Sequence, residues 1–440
     1  MPIIEQVADA LQDVFGSVAQ DPARDTRFVQ RASKLGGAHF VQTLVFTYLA
    51  NPDATLAELS QTAAALGVAI TAEGLTQRFT EPAATFLQDV LAAAVQRVLA
   101  ADPLAIPLLE RFAGVYLEDS TVIVLPDALR SLWPGCGNAT EPGAAALKIN
   151  LRLDLCTGRL AGLTLHAGRV HDTRAAVPLP TLPPGALFLA DLGYFGLDRL
   201  RQISAQGTYF LSRLQMQTTV FDADGRRWDD LAALLATQGP QVDLPVTLGV
   251  TQRLPARLLA VRVPQEVADQ RRRKLRAAAR RKGQAVSARR LALAAWTIFI
   301  TNAPPELLTV AAAVVVGRAR WQIELLFKLW KSQGRIDASR SHKPWRVLCD
   351  VYAKLLAMIV QHWTWLLSLW GYPDRSLVKA VKTVQKYALQ LASGLWSQER
   401  TRETLTILAR CLPKGCRMNR RKQHPNTYQL LEALTEHAFA

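Results

Sequence analysis

The sequence predicts an α/β protein in which a mixed-sheet core lies between helical N-terminal and C-terminal regions. From residue 1 to about 105, apolar residues recur at three- and four-residue spacing, which is typical of helices. From about residue 115, short apolar runs separated by Pro and Gly indicate strands. The chain has 440 residues and is 50% hydrophobic, so it can bury the cores of about two to four domains.

The helical N-terminal region, residues 1–105, is predicted to form a domain that binds DNA ends. Its segment ATLAELSQTAAALGVAITAEGLTQRF has the pattern of a helix, a Gly-containing turn and a second helix. This pattern is compatible with a helix-turn-helix that contacts DNA. Many helical bundles contain such a unit, so ordinary packing is the alternative interpretation.

The strand pattern places the core in residues 106–212 and 304–345. The predicted strands are VYLEDSTVIVLP, ALKINLRLDL, RLAGLTLHAG and ALFLADLGYF. A helix is predicted for LDRLRQISAQ, and another for residues 305–332. Strands and helices that mix in this way indicate an α/β core with at least one buried strand.

Residues 213–303 interrupt this core and are predicted to form an inserted β-rich domain with a basic helix. LPVTLGV, RLLAVRVP and WTIFITNAP are its predicted strands. The dense positive charge of the helix favours contact with DNA phosphates, and a merely solvated helix is the alternative. The basic residues are Arg271, Arg272, Arg273, Lys274, Arg276, Arg280, Arg281 and Lys282.

Residues 346–440 are predicted to be a helical region for dimerisation or DNA contact. Its most apolar stretch, residues 351–370, is interrupted by Lys354, Gln361 and His362, so we expect a packed helix and no membrane span. The N-terminal segment carries Glu5 where a signal peptide has basic residues.

Charge and cysteine content narrow the class of partner and the compartment. Lys and Arg number 52 against 36 Asp and Glu, a formal charge of +16. This excess favours nucleic acid as the partner, with an acidic membrane surface second. The five cysteines lack metal-ligand spacing, which predicts structural cysteines in a reduced, cytoplasmic chain.

Three carboxylates occupy positions that need an explanation. Asp119 lies inside the strand YLEDSTVIVL, Asp191 ends the strand ALFLAD, and Glu324 lies in the predicted helix. A carboxylate at a buried strand is costly unless it is paired or binds a metal ion. Each residue alone could be a cap, a turn-former or half of an ion pair.

The strings around these carboxylates carry a family resemblance. DST followed by an apolar strand, ADLGYF, and R-W-x-I-E-x-x-F-K-x-x-K resemble the insertion sequence four family of transposases, across residues 110–335. That family belongs to the DDE superfamily, so the resemblance implies a ribonuclease-H-like core. It also implies an enzyme that cuts and joins double-stranded DNA, transposon ends and target alike, as a homodimer at the bacterial nucleoid.

The resemblance also implies the cofactor and the site. Asp119, Asp191 and Glu324 would be the catalytic residues and would hold two divalent ions, Mg²⁺ with Mn²⁺ able to substitute. Asp119 would bridge both ions, and the other two carboxylates would hold one each. Glu118 is the rival for the first position, but strand alternation points it to the opposite face.

The family signature around the third carboxylate is Y-x2-R-x3-E-x6-K. Arg320, Glu324 and Lys331 match it, whereas Gly317 occupies the Tyr position. Helical spacing puts the matching three on one stripe, where the two cations can bind the DNA backbone. Around the rest of this helix, Trp321, Leu325 and Phe327 are predicted to pack on the sheet.

Two further features have alternative interpretations. His171 and Asp172 could form a nucleophilic or metal-binding dyad, but we favour a polar turn with Asp172 near a helix cap. By the resemblance, Trp296 would contact DNA by stacking on a flipped base, and a core position is the alternative.

The favoured function is a cut-and-paste transposase that binds terminal inverted repeats. The main alternative is a catalytically silent, transposase-derived DNA-binding protein or repressor, and a weaker one is a nuclease without joining activity. An intact set of three carboxylates argues against a purely binding role, and Gly317 argues mildly for it.

Overall fold

The computed structural model describes residues 2–30, 35–137, 143–172, 181–419, 421–423 and 425–436. The chain divides into two compact units. Unit 1 comprises Met1–Ala105, Asp119–Val170 and Gln322–His424. Unit 2 comprises Ile106–Glu118, His171–Trp321 and Pro425–Ala440.

The described strands lie in the middle of the chain, between helices toward its N-terminal end and helices toward its C-terminal end. The helices are α1 (Ile3–Gln12), α2 (Asp21–Asp25), α3 (Gly37–Ala50), α4 (Leu56–Ala65), α5 (Ala72–Thr76), α6 (Glu81–Val95), α7 (Pro107–Glu110), α8 (Leu197–Ala205), α9 (Leu231–Thr237), α10 (Gln265–Arg280), α11 (Ala288–Leu293), α12 (Val310–Ala319), α13 (Trp321–Ser332), α14 (Pro344–Leu366), α15 (Leu377–Gly394), α16 (Gln398–Gly415) and α17 (Thr427–Glu436). The strands are β1 (Val115–Val124), β2 (Ala146–Asp154), β3 (Leu160–Ala167), β4 (Leu187–Ala190), β5 (Tyr209–Arg213), β6 (Val220–Phe221), β7 (Gln241–Leu248), β8 (Leu254–Arg262) and β9 (Trp296–Thr301).

The predicted helical N-terminal region is confirmed by α1 to α6, all in unit 1. A capping box begins α4, in which Thr55 Oγ1 accepts from Glu58 N at 3.2 Å and Glu58 Oε2 accepts from Thr55 N at 2.6 Å. Gly67, with φ +83°, follows the end of α4, and α5 comes next. The helix–turn–helix pattern is therefore present, although α5 has only 5 residues.

The core of unit 1 forms around the long helix α14, which packs on α3 and α6. The packed-helix prediction for residues 351–370 is confirmed, since almost every side chain of α14 is buried. Trp370 Nε1 donates to Leu155 O at 3.1 Å, and a Cβ at Gly158 would lie 2.4 Å from the Trp370 ring. Only glycine fits there. No helix in the described part of the chain is long and apolar enough to cross a bilayer.

Unit 2 contains a mixed sheet with the strand order β1-β4-β5-β9-β8-β7-β6. The β1–β4 and β4–β5 pairs are parallel, and β5–β9 and the pairs beyond it are antiparallel. In unit 1, the second half of β1 is followed in the order by β2 and β3, which pair antiparallel. The predicted α/β class and the strands read from the sequence are confirmed.

The segment predicted as an inserted domain, residues 213–303, supplies β6 to β9 and α9 to α11. Its strands continue the sheet of unit 2, because β9 pairs with β5 with Thr301 opposite Leu211. One helix prediction was wrong: residues 305–332 form two helices, α12 and α13, and α12 begins only at Val310. Pro304 and Pro305 start a turn instead, and Thr309 Oγ1 caps α12 by accepting from Ala312 N.

Candidate active site

Glu118 and Asp119 are neighbours on β1 with different environments. Glu118 is 0% exposed, and both its carboxylate oxygens accept from Arg199 Nη2, at 3.0 and 2.8 Å. The Arg199 guanidinium also lies over the Phe188 and Tyr194 rings. The charge of Glu118 is therefore compensated inside unit 2, so this carboxylate is structural.

Asp119 is half-buried, and its Oδ1 accepts a hydrogen bond from Ser120 N at 2.8 Å. Because side chains alternate along a strand, Asp119 points to the face opposite Glu118. Because Glu118 is paired with Arg199, Asp119 remains the candidate metal-binding carboxylate on β1.

Asp191 follows the last residue of β4 and precedes the 3₁₀ turn Leu192–Tyr194. Its carboxylate makes no capping hydrogen bond to that turn, and its side chain is 53% exposed. It forms a long ion pair with Arg320, whose Nη2 lies 3.9 Å from Asp191 Oδ1. This geometry leaves the carboxylate oxygens accessible to a ligand.

The third candidate, Glu324, lies half-buried in the first turn of α13. Seven residues further on, Lys331 Nζ donates to Val122 O of β1 at 2.9 Å, which holds α13 against that strand within unit 1. Arg320 caps the end of α12 in helical geometry. The single stripe predicted for the three residues is therefore present only for Glu324 and Lys331, because Arg320 lies at the turn between α12 and α13.

The packing predicted around α13 was partly wrong. Phe327 is buried, as predicted, but Trp321 is 53% and Leu325 is 40% exposed. These two lie four residues apart and so share a face of the helix. Ile323, Leu326 and Trp330 form the buried side in their place. An exposed Trp beside a candidate catalytic carboxylate is available to a ligand.

Gly317, where the family signature has Tyr, has a packing reason. A Cβ at Gly317 would lie 2.6 Å from Phe299 Cζ of β9, closer than real Cβ contacts allow. The helix α12 therefore approaches the sheet at a point where only glycine fits. A Tyr at this position would require Phe299 to move within unit 2.

Asp191 opens onto a cationic cleft of about 880 Å³ within unit 2, which we call the Asp191 cleft. Its lining includes Arg213, Arg271, Arg320 and the exposed Trp321. Partial desolvation, with Arg271 and Arg320 nearby, lowers the pKa of Arg213. Cations that crowd one another in this way favour a polyanion. The sequence interpretation missed Arg213, although its position directly at the end of β5 is a signal that could have found it.

The burial of Trp296 favours the core alternative over base stacking. Trp296 is 5% exposed at the start of β9. Arg262 lies over its ring at 5.1 Å, and Arg271 Nη1 donates to its backbone oxygen at 3.0 Å. In this arrangement the ring is part of the packing at the start of β9, at the wall of the cleft that holds Asp191.

The basic helix α10 contains two kinds of cation. Arg271 donates to Thr297 Oγ1, and Arg272 donates to Leu291 O and pairs with Asp269 at 2.8 Å. These two anchor the helix and are not free for DNA in this arrangement. The remaining predicted residues are exposed: Arg273, Lys274, Arg276, Arg280, Arg281 and Lys282. The exposed Arg289 and Arg290 of α11 extend this set and were missed.

Asp172 lies in a turn as predicted, and its Oδ2 is 3.1 Å from the point where a Cβ at Gly193 would lie. This puts Asp172 beside the turn that follows Asp191. The helix that we expected Asp172 to cap falls in residues 173–180, which lie outside the described residues.

The predicted metal ligands are not assembled into one cluster in this structure. Within the described residues, no group of three or more His, Cys, Asp or Glu side chains is arranged to hold a metal ion. The accessible oxygens of Asp191 suit Mg²⁺, which is usually bound by one or two carboxylates together with substrate phosphates. The donor chemistry fits the ion, although three ligands are not assembled.

Comparisons with known proteins bear on this site. The family model described as "Transposase DDE domain" matches residues 110–360. The transposase for insertion sequence element IS231F of Bacillus thuringiensis subsp. israelensis is 26% identical over 463 residues, covering 99% of this chain and 96% of that protein. The transposase for insertion sequence element IS1151 of Clostridium perfringens is 25% identical over 367 residues, covering 77% and 76%.

The matched segment contains the carboxylates at β1, β4 and α13 and the Asp191 cleft. The similarity to the IS231F relative extends along nearly the whole chain, including the helical regions on either side of that segment. Because the family model spans more than half of the sequence, this chain belongs to the family of transposases with a DDE domain.

Proposed function

We propose that this protein is a cut-and-paste transposase of the insertion sequence four family. It would bind the terminal inverted repeats of its element and hydrolyse and transfer DNA strands with two divalent ions. Asp119, Asp191 and Glu324 would hold those ions. The relatives named as transposases of insertion sequence elements support the substrate, since their similarity covers nearly the whole chain.

The observation that carries the proposal is the register of β1 against β4. These strands are parallel, and Glu118 is opposite Ala190. The chain continues from these two residues into Asp119 and Asp191. Residues opposite one another on parallel strands point to the same face, and strands lie about 4.8 Å apart. This register supports a shared role for the two aspartates, with Glu118 turned away into its ion pair.

Metal and DNA would bind together, which accounts for the lack of a pre-assembled three-carboxylate cluster in the described residues. Scissile phosphate oxygens would complete the ligand set, as is usual for Mg²⁺. When bound, the ions would activate the attacking water or hydroxyl and stabilise the leaving oxygen. Asp191 would hold an ion through its exposed oxygens, and Arg320 would contact the phosphate.

The DNA backbone would be bound by the Asp191 cleft and by the exposed cations of α10 and α11. Arg213 and Arg320 line the cleft together with Asp191. Arg276 and Arg280 represent the exposed face of α10. Contacts of this kind fix the position of the duplex and carry no sequence information. The two surfaces would position DNA and leave selection of the inverted repeat to other contacts.

We also propose that the active species is a homodimer assembled on two DNA ends, with the N-terminal helices contacting the ends. The mild argument that Gly317 gave for a silent DNA-binding protein is weakened, because Gly317 packs closely against Phe299. A retained set of three carboxylates favours catalysis.

The test is a nicking assay on element-end DNA with and without Mg²⁺. Asp119→Ala, Asp191→Ala and Glu324→Ala should each lower cleavage at least about 1,000-fold, since each removes a metal ligand. DNA binding should persist in all three variants. Glu306→Ala is the matched control, because Glu306 is an exposed carboxylate within the family-matched segment. Wild-type cleavage rates in the three variants would sink the assignment, and binding without cleavage by the wild type would favour the silent protein.

A further inference from the structure

Unit 1 contains a polar pocket of about 370 Å³ that the proposed catalytic residues do not line. It is formed by two parts of the chain far apart in sequence, residues 48–54 and 335–354. We call it the Asp350 pocket. Its volume is at the lower end of the range of about 300–1,000 Å³ for small-molecule sites.

The floor of the pocket is a saturated hydrogen-bond network around Asp350, which is 2% exposed. Its carboxylate accepts from Tyr48 Oη at 2.5 Å, Arg346 Nε at 2.8 Å and Ser339 Oγ at 2.6 Å. Arg346 also donates from Nη2 to Tyr48 Oη at 3.0 Å. One cation and one anion are therefore compensated here, and the network fixes the shape of the floor.

Lys354 adds a positive charge that this network does not compensate. Its side chain is 3% exposed, and Nζ donates to the carbonyl oxygens of Arg335 at 3.1 Å and Ala338 at 2.6 Å. Among the described residues, no carboxylate lies within salt-bridge distance of this ammonium. Burial lowers the pKa of Lys354, whereas Asp350 and Asp53 act in the opposite direction. A buried cation of this kind is stabilised by an anion brought into the pocket.

Two more arginines stand at the mouth of the pocket. Arg340 is exposed, and Arg335 is 49% exposed and pairs with Asp53 at 3.4 Å. Arg335 has φ +49°, a left-handed conformation that is rare for residues other than glycine. Lys354 holds the carbonyl of this strained residue, which keeps the mouth in place. Strained backbone that its surroundings over-determine is typical of ligand sites.

The pocket therefore has four cations, Arg335, Arg340, Arg346 and Lys354, against the carboxylates Asp53 and Asp350. A phosphate monoester carries about −1.5 to −2 charges at pH 7, which matches this excess. Guanidinium and ammonium groups are also the donors that phosphate prefers. We propose that the Asp350 pocket binds a phosphate monoester, carried by a mononucleotide or by the end of a DNA strand. This site stands apart from the proposed cleavage chemistry and does not depend on it.

Calorimetric titration of the full chain with inorganic phosphate and with deoxyadenosine monophosphate, in the absence of divalent metal, tests the proposal. Saturable binding is expected, and Arg340→Ala and Lys354→Met should weaken it about tenfold or more. Arg410→Ala is the matched control, because Arg410 is exposed on α16 of the same unit and outside the pocket. Arg340 is on the surface, so its variant still tests the pocket if Lys354→Met fails to fold.

The source of the phosphate is distinguished by two copies of one single-stranded oligonucleotide, with a 5′-phosphate or a 5′-hydroxyl. All other DNA contacts are the same for both copies. If the wild type prefers the phosphorylated copy and Arg340→Ala removes that preference, the phosphate in the pocket belongs to the end of a DNA strand. Equal binding of both copies, with the nucleotide still bound, supports a mononucleotide. No saturable binding of phosphate or nucleotide by the wild type, or equal binding by wild type and both pocket variants, would overturn the proposal. Neither result would bear on cleavage.

Discussion

The Asp191 cleft and the Asp350 pocket are both rich in arginine, but their charges are compensated differently. In the pocket, Arg346 lies 2.8 Å from a carboxylate that two hydroxyl groups also contact. In the cleft, Arg320 lies 3.9 Å from Asp191, and Arg213 has no carboxylate within salt-bridge distance among the described residues. Charges compensated within the fold contribute to stability, and charges left to a ligand contribute to function. The substitutions below test that distinction.

The largest effect on folding is expected from Asp350→Ala. The change leaves Arg346 buried without its counter-charge and removes the acceptor of Tyr48. Breaking a buried pair in this way costs about 3–5 kcal/mol. Urea unfolding followed by circular dichroism measures the loss. Asp53→Ala is the control, because its half-exposed pair with Arg335 contributes at most about 1 kcal/mol. Equal losses in the two variants would contradict the role given to the buried network.

A pH-dependent loss of stability is expected from His362, a buried neutral group of the same unit. Burial lowers its pKa from 6.5 to about 4, and Nε2 donates to Gly158 O. As the pH falls, His362 is protonated in the unfolded chain before it is protonated in the folded chain. Its contribution to the free energy of unfolding is therefore fully present above pH 6.5 and is lost as the pH falls toward 4. The loss amounts to about 3 kcal/mol. His362→Gln keeps a donor but does not titrate, so its unfolding free energy should fall less over that range. Parallel pH profiles would show that other groups are responsible.

In the cleft, Arg213→Ala should weaken DNA binding without changing stability. Losing one phosphate contact should lower affinity about tenfold and reduce the slope of log affinity against log salt by about one. Fluorescence anisotropy over a salt series measures both quantities. Arg226→Ala, at an exposed turn outside the cleft, is the control. A loss of unfolding free energy in Arg213→Ala, with the salt slope unchanged, would make this arginine structural.

Local patterns in the sequence predicted the features that depend on local structure. Period-two apolar runs predicted the strands, and alternation put Glu118 and Asp119 on opposite faces of β1. The D-S-T match then selected Asp119, and the buried pair of Glu118 with Arg199 agrees with that choice. The helical register of Glu324 and Lys331 also follows from spacing alone. These features need only the geometry of one strand or one helix.

Contacts between distant parts of the chain could not be predicted in this way. The floor of the Asp350 pocket joins residues 302 positions apart, Tyr48 and Asp350. The choice between the two interpretations of Trp296 depended on Arg262, which covers the ring from another strand. The close contact of Gly317 with Phe299 could not be predicted either, because Gly317 lies on α12 and Phe299 lies on β9. Burial is a property of the assembled fold, and periodicity within one element does not report it.

The smallest effects are expected on α10, where both kinds of charge occur on one helix. Arg276 is exposed, so Arg276→Ala should lower DNA affinity only a few-fold and leave unfolding unchanged. Arg271 donates to Trp296 O and Thr297 Oγ1, so Arg271→Ala should lower the unfolding free energy by about 1–2 kcal/mol. Unfolding and anisotropy measurements on the same two variants separate the two roles. If Arg271→Ala alters DNA affinity alone, the anchoring contacts contribute little to the free energy of unfolding. The division between structural and ligand-binding cations would then not apply to α10.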